Sequence, residues 1–418
     1  MERKTIHSVT LDTDKCRGCV SCMRRCPTEA IRVRNKKAKV LYDRCIGCGE
    51  CVRVCPHHAK IPAFDSFDMI HKYKYKVAIV APSFYGQFKS QYDINLILNG
   101  LLAVGFDDVE EVAKAAELVS EATREWMKNT QDIKHPIINT ACPTIVELIL
   151  VRFHGLIDNL LPLQTPADVA IKLAYKKAKE KGYKDEEIGI FFISPCPAKV
   201  LALKNGIGIK SPLVTGVLSM AEVYYKVVTA LSQIKEVKPL NKAGFLGVAW
   251  ASSGGEALGV NKEKYLEASG IENVIAVLKE IENGKLENLD FVELNACTGG
   301  CVGGVLTVEN PFVAKAKIRE FGKKIPCIGS TNTIKNAGLT YKDFDWEVVP
   351  TINDVFKLDE NRIKAMQKLE QIESIYAKLP HFDCGVCGAP SCKAFAEDVV
   401  IEGFSIDDCT RMDERTTE

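Results

Sequence analysis

At 418 residues, 46% hydrophobic and 26% charged, the chain has apolar material for about three globular domains of roughly 150 residues. Its formal net charge of +1 argues against nucleic acid or an anionic membrane surface as partner. No N-terminal stretch reads as a signal peptide and no apolar run spans a bilayer. In a chain read as cytoplasmic, seventeen cysteines point to metal thiolates rather than disulfides, and such thiolates suit an anaerobic cell or a shielded site.

Cys16, Cys19, Cys22 and Cys26-Pro27 read C-x2-C-x2-C-x3-C-P, and Cys45, Cys48, Cys51 and Cys55-Pro56 repeat it. Tandem runs of this kind describe a two-cluster ferredoxin. Three thiolates of a tight loop face one 4Fe-4S cubane, and the fourth, before the proline, reaches the other. The spacing assigns Cys16, Cys19, Cys22 and Cys55 to one cluster, and Cys45, Cys48, Cys51 and Cys26 to the second. Zinc also uses C-x2-C pairs, but it needs neither the third close cysteine nor the cross-ligating C-P. His57-His58 read as solvated linker residues. Residues 1–75 form this domain and its connector.

Beyond it the pattern becomes strand–loop–helix. Val77-Ala78-Ile79-Val80 reads as a buried strand stopping at Ala81-Pro82-Ser83. Residues 91–104 and 111–128 carry helical periodicity. Ile137-Ile138-Asn139-Thr140 predicts a short strand leading into Ala141-Cys142-Pro143, with a helix from about Ile145. Residues 188–193 predict a strand ending at Ser194-Pro195-Cys196, residues 219–234 a helix, and Phe291-Val292-Glu293-Leu294 a strand ending at Cys297. The alternation implies α/β layers with a largely parallel sheet, whose ligands gather beyond the carboxyl ends of the strands. A further amphipathic helix over 360–378, with Ile363, Met366, Leu369, Ile372, Ile375 and Tyr376 on one face, reads as lying on its own domain or as pairing with a second copy.

Three of those strands end at cysteine loops: Thr140-Ala-Cys-Pro143, Ser194-Pro-Cys-Pro-Ala-Lys199, and Glu293-Leu-Asn-Ala-Cys-Thr-Gly-Gly-Cys-Val-Gly-Gly304. Free cysteines are common in cores, but proline or glycine beside each of these marks a loop that presents its side chain. In order and content the loops resemble the three signature loops of [FeFe]-hydrogenases, over roughly residues 76–350. The resemblance implies that Cys142, Cys196, Cys297 and Cys301 hold a 4Fe-4S cluster. It implies that Cys301 also bridges to a two-iron unit carrying CO, cyanide and an azadithiolate. Lys199 matches the lysine that binds one cyanide, and Pro82 and Ser83 match the segment cradling the other. Gly300, Gly303 and Gly304 would let backbone approach the cluster and donate N–H bonds to its sulfurs. The departures are specific. Ala141 stands where active members place a proton-relaying cysteine, Ser194 and Asn295 where they place methionines, Ala202 where the usual path has a glutamate, and Val305 where a further glycine is usual. This pattern resembles the sensory subgroup, group D. Glu121 and Glu125, four apart on one helix face, are candidates for another proton path, with a solvated face as the plainer reading.

Cys384, Cys387, Cys392 and Cys409 read C-G-x-C-G-x-P-x-C, then Cys after sixteen residues. This resembles the small 4Fe-4S domain of electron-transfer and corrinoid iron–sulfur proteins, with zinc as the alternative. Cys327 reads as a buried structural thiol. The expected architecture is α/β: a hydrogenase-like domain (76–350) behind a two-cluster ferredoxin domain (α+β), then a helical linker (351–379) and a small 4Fe-4S domain (380–418). The expected cofactors are four 4Fe-4S clusters and the diiron unit. The expected function is reversible H2 oxidation and proton reduction at low rate in an H2 or redox sensor. The alternatives are a ferredoxin-linked catalytic hydrogenase with a non-standard proton path, or a non-enzymatic iron–sulfur scaffold lacking the diiron unit. Expected partners are H2 and protons, a ferredoxin-type redox protein, a signalling protein and a second copy of the chain.

Overall fold

The computed structural model describes residues 7–329 and 332–412. The chain divides into two compact units. The larger holds Phe64–Ile149 and Phe153–Thr351; the smaller holds His7–Ala63, Leu150–Arg152 and the chain from Ile352.

The smaller unit opens with β1 (Val9–Leu11), α1 (Ser21–Arg24), β2 (Ile31–Arg34), β3 (Lys37–Val40), α2 (Glu50–Arg53) and β4 (Lys60–Pro62). β1 pairs antiparallel with β4, and β2 with β3. The β2–β3 hairpin turns through Asn35 and Lys36, both at positive φ, the conformation a two-residue turn of a right-twisted hairpin demands. Each cysteine run passes through a single helical turn, so Cys22 lies on α1 and Cys51 on α2.

The larger unit contains, in order, β5 (Tyr75–Val80), α3 (Ile94–Ala103), β6 (Asp108–Glu111), α4 (Val112–Asn129), β7 (Ile137–Ile138), α5 (Pro143–Arg152), α6 (Pro166–Glu180), β8 (Ile188–Ser194), α7 (Pro197–Asn205), β9 (Gly216–Ser219), α8 (Met220–Leu231), α9 (Phe245–Ala249), α10 (Gly255–Val260), β10 (Tyr265–Ser269), α11 (Ile271–Glu282), β11 (Phe291–Asn295) and α12 (Pro311–Phe321). α5 runs on to Arg152, past the boundary between the units. Two parallel sheets result, β6-β5-β8-β9 and β10-β11-β7. The apolar runs foreseen for β5 and β8 are central strands, and every residue of β8 is buried, as expected where helices cover both faces. The sequence pattern does not flag β6, β9 or β10. β6 is Asp-Val-Glu-Glu and is a strand because it lies against β5 at the sheet edge. Helix starts are set locally. Asp93 caps α3, and Thr165 and Asp168 form a reciprocal capping box on α6 behind Pro166.

The smaller unit closes with α13 (Arg362–Tyr376) and α14 (Cys392–Glu402). Ile372 of α13, Leu379, and Ala394, Phe395 and Ala396 of α14 form one hydrophobic cluster. The far half of the amphipathic face of α13 stays open, with Ile363 69% and Met366 65% exposed. Cys327, expected inside, is exposed. The structural role at this position belongs to its backbone, whose carbonyl accepts from Leu246 N at 2.9 Å. Among the described residues no helix is long and apolar enough to cross a membrane.

α9 lies so close to α4 that a Cβ on Gly247 would sit 2.0 Å from the Ala113 carbonyl oxygen. Gly247→Ala should therefore cost about 1–3 kcal/mol through forced backbone displacement, read as a lower midpoint in denaturant melts against wild type.

Candidate active site and cluster sites

Parallel strands release their loops at one end, and four such loops converge. β5 leads into Pro82 and Ser83, β7 into Ala141 and Cys142, β8 into Pro195 and Cys196, and β11 into Cys297 and Cys301. They line a pocket that includes Pro82, Ser83, Ala141, Lys199, Asn295 and Cys301. Cys142 and Cys196 stand at the N-cap positions of α5 and α7, each followed by proline at the first helical position, where the helix dipole favours a thiolate. Cys301 lies within electrostatic reach of both Cys196 and Cys142. Burial pushes the Cys301 thiol up to about 12 and raises Cys196, while the Lys199 ammonium draws both down. Iron must therefore displace protons to bind there. Lys199 Nζ donates to the Ala141 carbonyl at 3.0 Å, tying the second loop to the first.

The pocket suits a polar guest. Ser83 is fully buried, and its hydroxyl has no partner among the described residues. A lining with one orphaned hydroxyl, one ammonium and one thiol matches a diiron unit with cyanide ligands. Ser194 has a different task. Its Oγ donates to Cys196 O at 2.8 Å and accepts from Cys196 N at 3.3 Å, bracing the loop. The glycines also serve close packing. A Cβ on Gly300 would lie 2.5 Å from Ser253 N, and one on Gly304 2.2 Å from Pro195 O. The N–H groups of Gly300, Gly303 and Gly304 bond to Cys297 O, Gly300 O and Cys301 O at 3.1, 3.0 and 3.1 Å. The glycines thus let backbone segments pack against one another.

Two acids in the same wall are not singled out by the sequence reading. Glu293 alternates with Asn295 on β11, and Asn295 Nδ2 donates to Glu293 Oε1 at 2.8 Å. Gly254 N and Ala257 N also donate to Glu293, at 2.9 and 2.8 Å. Glu256, at the start of α10, accepts from Asn139 Nδ2 at 2.7 Å. Both acids are buried and both line the pocket. Burial, then the charge of Glu293, raises Glu256 to about 8. Burial raises Glu293 as well, against its three N–H donors. At neutral pH the pair carries less than its full two charges. Glu121 and Glu125 face elsewhere: Glu121 accepts from Ile334 N at 2.8 Å, and Glu125 from Asn129.

In the smaller unit, Cys22 lies within reach of Cys16, Cys19 and Cys55, while Cys26 acts on Cys45, Cys48 and Cys51. Space thus brings together the same two crosswise groups as the spacing. Backbone N–H groups of Ala30, Ala38 and Ala59 point to the sulfurs of Cys26, Cys16 and Cys55 at 3.2, 3.4 and 3.3 Å, as thiolate ligands require. Lys60 is 3% exposed, and its ammonium has no hydrogen-bond partner among the described residues. Its charge acts on Cys22, Cys45, Cys51 and Cys55. A buried cation needs an anion, and an anionic cubane held by these thiolates would supply one. Cys384, Cys387, Cys392 and Cys409 line one pocket with Leu379, Ala389 and Phe395. His57 and His58 are exposed.

The family model for the C-terminal domain of the iron-only hydrogenase large subunit matches residues 74–238 and 204–305, together more than half of the chain. The chain belongs to the iron-only hydrogenase family. A 4Fe-4S dicluster domain matches residues 8–56 and an Fe-S cluster domain residues 379–411. A solved [FeFe]-hydrogenase, described for oxygen inactivation of its H cluster, aligns with a TM-score of 0.53 at 14% identity, over 68% of this chain and 95% of that one. That likeness shows the shared fold. A variant of an [FeFe]-hydrogenase from Chlamydomonas reinhardtii aligns with a TM-score of 0.47 at 16% identity, over 59% and 84% of the two chains. A hydrogenase structure from stepwise H-cluster assembly gives 0.48 at 15% identity, over the same shares. No curated protein matches the sequence. This is a hydrogenase-like protein with iron–sulfur cluster domains at both ends.

Two outcomes follow from the buried charges. Native Glu256 keeps its proton to about pH 8, whereas the unfolded side chain releases it near 4.5. Wild type therefore loses stability relative to Glu256→Gln as pH rises from 6 to about 8, by at most about 1.4 kcal/mol per unit. The gap levels off above that, and paired melts over this range measure it. Lys60→Gln removes a cation shared by both cubane sites, so redox titration followed by electron paramagnetic resonance should give lower cluster potentials, with Lys60→Arg restoring them.

Proposed function

We propose that the protein is an H2 or redox sensor. In this reading it binds four 4Fe-4S clusters and a diiron unit, interconverts H2 with protons and electrons slowly, and exchanges electrons with a ferredoxin-type partner. The carrying observation is the single pocket in which Pro82, Ser83, Lys199, Asn295 and Cys301 meet while a methyl group, Ala141, fills the relay position. When bound, the diiron unit supplies the H–H chemistry, and the protein supplies position, charge and proton access. Cys142, Cys196, Cys297 and Cys301 would hold the proximal cubane, with Cys301 also bridging. Lys199 on one side and Pro82 with Ser83 on the other would hold the cyanide ligands. Ala141 can neither accept nor donate a proton. Glu293 and Glu256 can, and their raised affinity for protons suits general acid–base exchange near neutral pH.

That same acid pair favours a second reading, a ferredoxin-linked catalytic hydrogenase with a non-standard proton path. Turnover separates the two. Loss of a positioned proton carrier costs typically about 10²–10⁴-fold, so slow turnover is the outcome for a sensor. Ala141→Cys alone should raise it by less than about tenfold, because Ala202 leaves the next relay position empty. Turnover matching fast hydrogenases in wild type, abolished in Glu293→Gln, would establish the catalytic reading instead. Infrared spectra of matured protein should show CO and cyanide bands, and Cys301→Ser should remove them while sparing the ferredoxin clusters. A fully iron-loaded protein without those bands after maturation would leave only the scaffold reading.

A further inference from the structure

Within the smaller unit, the C-terminal cysteine loop is locked onto the ferredoxin segment through β2. Arg32 and Arg34 alternate along that strand, and both reach Asp398 of α14. Arg32 Nε donates to its two carboxylate oxygens at 2.9 and 2.8 Å, and Arg34 Nη2 donates at 2.5 Å. Arg32 and Asp398 are both buried. Between the arginines, Val33 N donates to Gly388 O at 2.8 Å, which takes up the strand's otherwise free edge. Arg34 also donates from Nη1 to the Cys387 carbonyl at 2.9 Å, and its guanidinium stacks on Phe404, 4.4 Å from the ring centre. Arg44 pairs with Glu397 at 3.6 Å.

The consequence is a meeting of ligand loops. A Cβ on Gly385, between Cys384 and Cys387, would lie 2.9 Å from Met23 Cε and 3.5 Å from Val20 Cγ1. Val20 and Met23 directly follow Cys19 and Cys22. Gly18, Arg34, Val386 and Cys387 line one groove. The two cysteine loops thus approach so closely that an added methyl group at Gly385 would crowd Met23. A buried charge triad is weak evidence for stability but fixes geometry, and electron exchange between clusters depends on geometry.

We propose that the C-terminal cluster is wired to the ferredoxin cluster of Cys16, Cys19, Cys22 and Cys55, with Arg34 and Asp398 as the positioning residues of the junction. One electron passes between the two cubanes, oxidising one and reducing the other, with no bond made and no proton moved. The C-terminal cluster is then a branch of the same chain, where the redox state of the ferredoxin segment can be read out by a redox protein. The proposal rests on these thiolates holding cubanes, but not on the diiron unit.

The test uses the full chain, reconstituted anaerobically with cubanes only, reduced with dithionite and examined by electron paramagnetic resonance. Wild type should bind about 16 iron atoms and show spin–spin broadening that a Cys387→Ser, Cys392→Ser double variant loses in part. Arg34→Gln should keep the iron while that part of the broadening is lost, and Arg34→Lys should restore only some of it, because a lysine cannot serve both acceptors. Asp398→Asn should act in the same direction; if it sheds iron, the Arg34→Gln spectrum decides. Unchanged broadening in Arg34→Gln, or none attributable to the C-terminal cluster in wild type, overturns the junction. Wild-type iron near 12 would remove the C-terminal cluster itself, a failure distinguishable from that of the junction alone.

Discussion

One constraint runs through the candidate cluster sites: a thiol that shields a cluster is buried, and burial opposes the ionisation that would let it bind iron. Burial raises Cys48, Cys51, Cys196 and Cys301 above the usual thiol range. The fold counters with fixed positive potential. Lys60 stands among four thiols of the ferredoxin segment, and Lys199 acts on Cys196 and Cys301. Cys142 and Cys196 sit at helix starts. At Cys55 the compensation wins: burial pushes upward, but N–H groups of Ala59, His57 and Lys60 bring the thiol below its ordinary value. Folding and iron uptake are linked, because iron releases the protons that burial retains.

The sheets turn that constraint into a site. Two short parallel sheets place the ends of β5, β8, β7 and β11 around one cavity, so residues 82, 141, 195 and 301 meet although the chain between them is long. Asn139 joins structure to chemistry. Its side-chain oxygen accepts from Leu294 N at 2.8 Å, and its amide nitrogen holds Glu256. Register between β7 and β11 and the position of an acid in the wall are thereby set by one residue.

The sequence revealed what is encoded locally. Cysteine spacing, the apolar runs of β5 and β8, and the proline- or glycine-flanked loops each carry their meaning within a few residues. What it concealed is what depends on tertiary neighbours. β6 has no strand-like pattern because its partner, not its composition, makes it a strand. Glu293 was visible as one acid within Phe291-Val-Glu-Leu, a charge in an otherwise apolar strand, and that anomaly was the available clue. Glu256 offered only an acid after two glycines. Lys60 looked like any linker lysine. The Arg32–Asp398 bond spans 366 positions, so no local pattern could signal it. The helix at 362–376 is a mixed case: Ile372 packs into its own cluster, while Ile363 and Met366 on the same apolar stripe stay exposed.

Two buried acid sites in this protein show how structural and chemical carboxylates differ. Asp398 faces two guanidinium groups and accepts from both, so its charge is matched and its geometry fixed. Glu256 and Glu293 have amide donors around them, and Lys199, whose charge acts on Glu256, also acts on Cys196 and Cys301. Two carboxyls sharing one apolar wall cannot both ionise cheaply, so the pair keeps a proton in reserve beside the pocket. Asp398 is thus held by two guanidinium groups, whereas Glu256 and Glu293 beside the cavity are held by amide donors.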